Sequence, residues 1–227
     1  MGGNTGIQDV YNLAWKLAYI LNDKASTGLL DSYNLERVRS SGWTVQQAYS
    51  RCVNRVLKDP SVPHDKELPD ETVEIGYRYP EGALITDGPV DPQDQWEDPY
   101  VPRTTVGSRI PHKVSEDTSG NKLSSLDLIK RNFVVLTTSA YSPWLDAARR
   151  QDFEVDAISV TETSRLVKDP SGELAKVLKL KEGQALLIRP DGYIAWKMTA
   201  AVENLADQLG MVLQRILRPN SMTRTRL

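Results

Sequence analysis

Proline is concentrated in one stretch of the chain, and this limits the possible folds more than any other feature. Eight of the 13 prolines lie between positions 59 and 109. Because a proline removes a backbone hydrogen bond and clashes with the preceding helical turn, no long helix can run through this stretch. Residues 59–106 are therefore predicted to form an irregular linker, with one short strand at 82–85. Its five acidic residues between Asp87 and Asp98, without a basic one, are interpreted as a solvated loop rather than an acidic recognition segment.

Two helices are predicted ahead of the linker, within residues 1–58. Apolar residues recur at helical spacing over residues 7–21, behind a glycine-rich start in which Asn4 or Thr5 is placed to cap the helix. A second helix is predicted over residues 30–57. Gly42 leaves its continuity open, because glycine costs about 1 kcal/mol relative to alanine inside a helix. The two helices are expected to form an antiparallel pair.

The region after the linker, residues 107–218, has the pattern of an α/β domain. The Pro190-Asp191-Gly192 sequence between two apolar runs is a strong hairpin signal. The order strand, helix, strand, hairpin, helix is that of a thioredoxin-like domain with a central mixed sheet flanked by helices. The elements are predicted at 132–138, 144–150, 153–160, 185–189, 193–198 and 202–217. Residues 219–227 are expected to be a flexible tail.

Composition excludes several functional classes. The net charge of −2 provides no field for nucleic acid or an anionic membrane, and no apolar run is long enough to span a bilayer. A cytoplasmic protein is the default expectation. The single cysteine, Cys52, is expected to be a buried small hydrophobe, and His64 and His112 are expected to have positional roles. No His, Cys or carboxylate spacing predicts a metal site.

Four stretches of the sequence, taken together and in order, resemble the phenol-hydroxylase-like class A flavin monooxygenases, which include the aromatic polyketide hydroxylases. The resemblance implies that the chain corresponds to the C-terminal portion of such an enzyme, with FAD as the cofactor of the full-length family and an aromatic or polyketide small molecule as substrate. The stretches are Gly2–Ala18, Leu29–Tyr33 with Glu36-Arg37, Gly107–His112 and Leu187–Trp196.

The resemblance also implies a cofactor-facing position for the glycine-rich turn. In the family this turn opens a helix whose N-terminal amides face the pyrimidine edge of the flavin, where they stabilise negative charge. The corresponding residues here are Gly3, Asn4, Thr5 and Gly6. The thioredoxin-like domain is structural in the family, in agreement with Thr138–Pro143 occupying the place of a redox cysteine pair.

Several parts of the family's flavin site have no counterpart in the sequence. No G-x-G-x-x-G turn follows a strand, and the family's Gly-Asp pair ahead of the glycine-rich turn is missing because Met1 falls inside that motif. We therefore expect this chain, which reads as a helical remnant of an FAD-binding domain plus the C-terminal domain, neither to retain a cofactor nor to hydroxylate anything alone.

Three hypotheses remain open at this point. The first is that the chain performs a redox-free step, such as cyclisation, isomerisation or dehydration, in a polyketide pathway, with Arg109, His112 and Tyr193 as the catalytic candidates. The second is that it is a fragment of an FAD- and NAD(P)H-dependent aromatic hydroxylase. The third is a noncatalytic scaffold or partner subunit, in which helices 7–21 and 30–57 expose apolar stripes and build a homodimer or hetero-complex.

Overall fold

The protein consists of an N-terminal helical layer packed against a mixed α/β domain. A computed structural model describes residues 2–86, 88, 91, 94–117, 119–161, 167–181, 183–198 and 204–218. The tail expected at 219–227 lies outside these residues. In the described part of the chain, no helix combines the length and the apolar character needed to cross a membrane.

The two predicted N-terminal helices are present and contact each other. Helix α1 spans Gly2–Leu21 and helix α2 spans Asp31–Cys52, preceded by a 3-10 turn at Thr27–Leu30 and followed by a π-helical turn at Val53–Leu57. Helix α2 therefore runs without interruption through Gly42. The predicted cap at Asn4 or Thr5 is wrong, because α1 already includes both residues.

The buried faces of these helices carry many polar and charged residues beside the buried aromatic residues Trp15, Tyr19 and Trp43. In α1 the buried residues include Asn12 and Lys16, and in α2 they include Glu36 and Arg37. The apolar residues lie largely on the outward faces, which explains why the prediction for Cys52 is wrong: its thiol is exposed. The exposed apolar residues include Ile7, Val10, Leu17 and Leu21 on α1 and Val38, Val45 and Tyr49 on α2.

The α/β domain is built on a seven-stranded sheet with the strand order β2-β1-β5-β4-β3-β6-β7. Strand β3 is parallel to β4 and antiparallel to β6, and β6 is antiparallel to β7. This confirms the predicted thioredoxin-like order. The short strands β1, β2 and β5 were not predicted. The strands are β1 (Val114–Glu116), β2 (Lys122–Ser124), β3 (Phe133–Thr137), β4 (Val155–Thr161), β5 (Val167–Lys168), β6 (Ala185–Ile188) and β7 (Ile194–Met198).

The described residues also form four shorter helices. Helix α4 (Pro143–Arg149) and helix α6 (Leu205–Leu217) correspond to predicted elements, whereas α3 (Asp70–Ile75) and α5 (Glu173–Leu178) do not. Helix α3 begins directly after Pro69, where proline does not interrupt a helix.

Alternate residues of the central strand β3 point to two hydrophobic cores, as the two-residue period of a strand requires. Phe133 and Val135 belong to a core shared with α1, α4 and α6, whereas Val134 and Leu136 belong to the core on the opposite face. Trp15 of α1 packs edge-on against Phe133, with ring centroids 5.7 Å apart. Helix α1 is therefore part of the first core of the α/β domain and not an appendage to it.

The linker folds back onto the domain instead of extending into solvent. The predicted strand at 82–85 is absent, although the Ile85 N–H donates to the Ala195 carbonyl at 2.7 Å. The acidic stretch is not simply solvated, because Glu97 is buried and the Asp94 carboxylate pairs with Arg78 and Arg103. The excess of acidic residues in this stretch predicted a solvated loop, and this prediction missed the ion pairs because the arginines that neutralise the carboxylates lie outside the stretch.

Candidate functional site

A cluster of buried charges lies where α1, α2 and the β6–β7 hairpin meet. The Glu36 carboxylate accepts two hydrogen bonds from the Arg189 guanidinium, at 2.7 Å and 3.0 Å, and one from Lys16 Nζ at 2.9 Å. The side chains of all three residues are inaccessible to solvent. A bidentate guanidinium–carboxylate pair of this kind combines strong attraction with a fixed geometry.

A second carboxylate, Asp191, completes the cluster. Arg189 Nε donates to Asp191 Oδ1 at 2.9 Å, and the Trp15 indole N–H donates to Asp191 Oδ2 at 3.1 Å. Two cations, Lys16 and Arg189, therefore balance two carboxylates. We name the group formed by Lys16, Glu36, Arg189 and Asp191 the polar core.

The pairing of charges decides the protonation of the polar core. Burial alone would raise the pKa of Glu36, but the charges of Arg189 and Lys16 and their hydrogen bonds hold it at about 2. Burial lowers the pKa of Lys16 to about 8, despite the opposing charge of Glu36. The cluster is closed to solvent and fully hydrogen-bonded at Glu36, so its role is to join elements.

A glycine in the linker makes room for the polar core. The Ala83 N–H donates to Glu36 Oε1 at 2.7 Å, which brings the linker backbone onto the carboxylate. Gly82, immediately before, has a φ of +127°, and a Cβ at this position would overlap the Glu36 carboxylate. Only glycine satisfies both the backbone conformation and the contact.

Three tyrosines, Tyr77, Tyr79 and Tyr193, contact one another through their rings beside the polar core. The ring centroids of Tyr79 and Tyr193 are 4.4 Å apart, and those of Tyr77 and Tyr193 are 5.7 Å apart. The Tyr79 hydroxyl accepts a hydrogen bond from Arg37 Nη1 at 3.1 Å. Burial raises the pKa of Tyr193 well above its ordinary value, and the neighbouring tyrosines add to this.

The three catalytic candidates from the sequence are only partly brought together. Arg109 and His112 line a common cleft, whereas Tyr193 is buried and is not among the residues that line it. Tyr193 contacts this region through its backbone, which forms an isolated β-bridge with Arg109, and through its ring, which stacks on the cleft residue Tyr77. The redox-free reaction in which all three residues take part stays a prediction, and this placement gives Tyr193 no access to a ligand in the cleft.

The glycine-rich start of α1 presents an open backbone surface. Gly3, Asn4 and Gly6 are exposed, and Thr5 is half-buried. A Cβ at Gly3 or Gly6 would meet no other atom within 4 Å. Asn4 Nδ2 donates to Glu74 Oε1 of α3 at 2.7 Å, which braces the first turn of the helix.

Comparison with known protein families separates the N-terminal helical layer from the α/β domain. A family model for the C-terminal part of aromatic-ring hydroxylases matches residues 103–219, and a model for an FAD-binding domain matches residues 1–48. The first match covers more than half of the chain. The chain belongs to the aromatic-ring hydroxylase family. The resemblance drawn from four sequence stretches is thereby confirmed.

Individual aromatic hydroxylases are similar over almost the whole chain. The chain is 37% identical to 4-methyl-5-nitrocatechol 5-monooxygenase from Burkholderia sp over 94% of its own length. It is 36% identical to tetracenomycin B2 monooxygenase-dioxygenase from Streptomyces olivaceus over 95%. These alignments cover 41% and 39% of the two relatives, so the chain spans about two fifths of their length.

A solved aromatic hydroxylase has the same fold. The structure of aklavinone-11 hydroxylase in complex with FAD and aklavinone superposes with a TM-score of 0.85 at 29% sequence identity. It covers 96% of this chain, and the chain covers 40% of it. The mixed α/β fold behind an N-terminal helical pair is therefore that of the C-terminal portion of an aromatic hydroxylase.

The residues present fit one edge of a flavin site in this hydroxylase fold. The open backbone at Gly3 and Gly6 permits close approach of a planar ring, and a helix of 20 residues places its dipole and free amides behind that surface. A group of three or more metal-ligating side chains does not occur among the described residues.

The polar core was missed by reasoning from the sequence. Glu36, Arg189 and Asp191 each lie in a stretch that carries the resemblance to the family, but no local pattern pairs residues that are 153 positions apart. The available signal was the presence of a charged residue inside an otherwise apolar stretch, as with Arg189 after the buried strand β6. A charge in such a place requires a buried partner.

Proposed function

We propose that the chain acts as the C-terminal part of an FAD-dependent aromatic-ring hydroxylase whose substrate is a phenolic or polyketide aromatic. The observation that carries this proposal is the order of the two family matches, in which an FAD-binding model covers α1 and most of α2, ahead of the hydroxylase C-terminal model. The relatives named above act on such aromatics, which supports the substrate class.

Within this function, the start of α1 would contact the isoalloxazine edge of the flavin. Gly3 and Gly6 leave space for the ring, and the first amides of α1 donate toward it. FAD, when bound, supplies the redox chemistry that activates dioxygen for ring hydroxylation. Asn4 would hold its place through Glu74 of α3, so that the flavin-facing turn keeps one geometry.

The polar core would fix this turn relative to the α/β domain. Asn12 and Lys16 lie about two and about three helical turns after Gly6 on α1. Lys16 and Asn12 both donate to Glu36 Oε2, at 2.9 Å and 2.6 Å. Glu36 in turn is bound to Arg189 of the hairpin. The C-terminal domain would thus hold α1 in position without touching the flavin.

The outward apolar faces of α1 and α2 would be covered by the remainder of a flavin-binding domain. Val10 is 66% exposed and Val45 is 67% exposed, although both continue the helical apolar pattern. Exposed apolar stripes of this extent are typical of surfaces that bind another protein segment. The FAD-binding match over residues 1–48 supports a flavin-binding segment as the occupant.

A chimera tests this function. The segment of the Burkholderia nitrocatechol monooxygenase that precedes its aligned region would be fused ahead of this chain, and the purified protein examined for flavin absorbance. We expect the chimera to purify with bound FAD and the chain alone to purify without it, because the sequence offers no G-x-G-x-x-G turn for the pyrophosphate.

A second chimera carrying Gly3→Val and Gly6→Val provides the matched control. These side chains would occupy the surface proposed for the flavin edge while leaving the polar core intact, so flavin occupancy should fall and folding should not. If the chimera with the unchanged glycines folds but binds no FAD, the proposed function is contradicted. The same holds if the chain without the fused segment retains stoichiometric FAD.

A further inference from the structure

A cleft that the proposed function does not use lies between the end of α3 and the Arg109–His112 turn. It has a volume of about 260 Å³. Its walls are mostly apolar, which makes it a place for a ring rather than for water alone. The apolar wall residues are Ile75, Pro99, Pro102, Ile110, Pro111 and Leu126.

The charges around this cleft leave one cation without a partner. The Glu97 carboxylate at the cleft accepts from Ser108 Oγ at 2.9 Å and from Arg103 Nε at 3.3 Å, and Arg78 Nε lies 3.7 Å away. Glu97 is therefore already neutralised. Arg109, by contrast, is half-buried, and its guanidinium forms neither a hydrogen bond nor an ion pair within the described part of the chain.

An unpaired guanidinium at an apolar cleft favours a specific chemistry. Its planar set of donors matches the two oxygens of a carboxylate, and partial burial strengthens the attraction relative to water. A ligand with a flat apolar body would place that body against the proline and aliphatic walls. The His112 side chain, exposed at the cleft, offers a further polar contact.

We propose that this cleft is a binding site for a single-ring aromatic carboxylate, with the carboxylate on Arg109 and the ring against the apolar walls, which include Pro111 and Leu126. The volume lies just below the range of about 300–1,000 Å³ of drug-sized ligand sites, which limits the ligand to one ring. The site does not depend on a flavin. It does border α3, whose Glu74 braces the first turn of α1.

Calorimetric titration of the chain with three probes tests the site. Benzoate carries both the ring and the charge, benzamide carries the ring without the charge, and acetate carries the charge without the ring. We expect benzoate to bind at least tenfold more tightly than benzamide, because a hydrogen-bonded charge pair contributes about 1.5–3 kcal/mol. Benzoate should also bind more tightly than acetate, because acetate lacks the ring that the apolar walls would cover. Equal binding of benzoate and benzamide, or the lack of benzoate binding at millimolar concentration, would overturn the proposal.

Two variants locate the binding. Arg109→Met keeps an unbranched side chain and removes its charge, so benzoate should no longer bind more tightly than benzamide. Leu126→Trp fills the cleft and leaves Arg109 in place, so both aromatic probes should stop binding. The control is Lys122→Met, which removes an exposed charge on β2 outside the cleft. Circular dichroism verifies folding, and unchanged benzoate affinity in either folded cleft variant would refute the site.

Discussion

Glu36 illustrates how much a buried carboxylate depends on its partners. It accepts hydrogen bonds from Arg189, Lys16, Asn12 and the Ala83 N–H, and its side chain has no access to solvent. Removing one partner of such a pair leaves an uncompensated charge in the interior, which typically costs 3–5 kcal/mol.

We therefore expect Glu36→Gln to lower the free energy of unfolding by about 3–5 kcal/mol in urea titrations at neutral pH. The double variant Lys16→Met/Glu36→Gln should recover part of this loss, because it removes the stranded cation together with its partner. Glu154→Gln is the control, since the Glu154–Lys24 pair is similarly close, at 2.8 Å, but exposed, and should change stability by less than about 1 kcal/mol. A double variant no more stable than the single one would refute the assigned pairing.

The pH dependence of stability provides a separate measurement on the same residue. The pKa of Glu36 is about 2 in the folded protein against an ordinary value of 4.5. Between these values the unfolded chain binds more protons, so the stabilisation by Glu36 is present above pH 4.5 and is lost as the pH falls toward 2. The stability gap between wild type and Glu36→Gln should therefore begin to narrow below pH 4.5. A gap that stays constant as the pH falls would contradict this assignment.

At the scale of elements, the sequence predicted what depends on local pattern. Strand β3 was recognised as an unbroken apolar run, and the β6–β7 hairpin from its Asp-Gly turn, where Gly192 has a φ of +80°. Strand β5 has two residues and one buried side chain, so it carries no periodic signal. Contacts with residues far away in the sequence decide which faces of α1 and α2 are buried and which point outward. The periodicity of the sequence cannot reveal such contacts.

The linker segment at 82–85 also shows that a local sequence pattern does not reveal contacts between distant residues. Gly82 and the apolar residues after it suggested a strand, but the segment is held by Glu36 and Ala195 instead of by a ladder. The candidate site was predicted to the same partial extent: the open glycines of α1 and the pairing of Arg109 with His112 came from motifs, whereas the polar core required contacts across the chain.

The substitution Gly82→Ala tests this interpretation of the linker. We expect a loss of about 2 kcal/mol or more in the free energy of unfolding, because the added Cβ is strained at φ +127° and displaces the Glu36 carboxylate. Gly120→Ala is the matched control, since Gly120 also has a positive φ, +83°, but open space around its Cβ position. Equal losses in the two variants would mean that the contact with Glu36 contributes nothing.

At the scale of the whole molecule, the two faces of the helical layer differ in kind. The inward face is closed by charge pairing and by the first core, whereas the outward face exposes Ile7 at 70% and Leu21 at 81%. The α/β domain buries most of its apolar residues within its two cores, although Val114, Tyr141 and Met211 are exposed. We therefore expect a partner surface, if the chain has one, to lie on α1 and α2.

This asymmetry predicts self-association of the chain when no flavin-binding segment covers the helices. Light scattering at micromolar concentration should show a dimer or larger species, and Val10→Glu together with Val45→Glu should shift the population toward monomer, because each places a charge in an apolar contact. Met211→Glu on α6 is the control, since Met211 is 64% exposed but lies outside the helical layer. In the chimera, where the flavin-binding segment is proposed to cover the same face, wild-type helices should no longer drive association. A monodisperse monomer of the chain alone would show that these stripes need no cover, and the partner proposed for them would then have no physical basis.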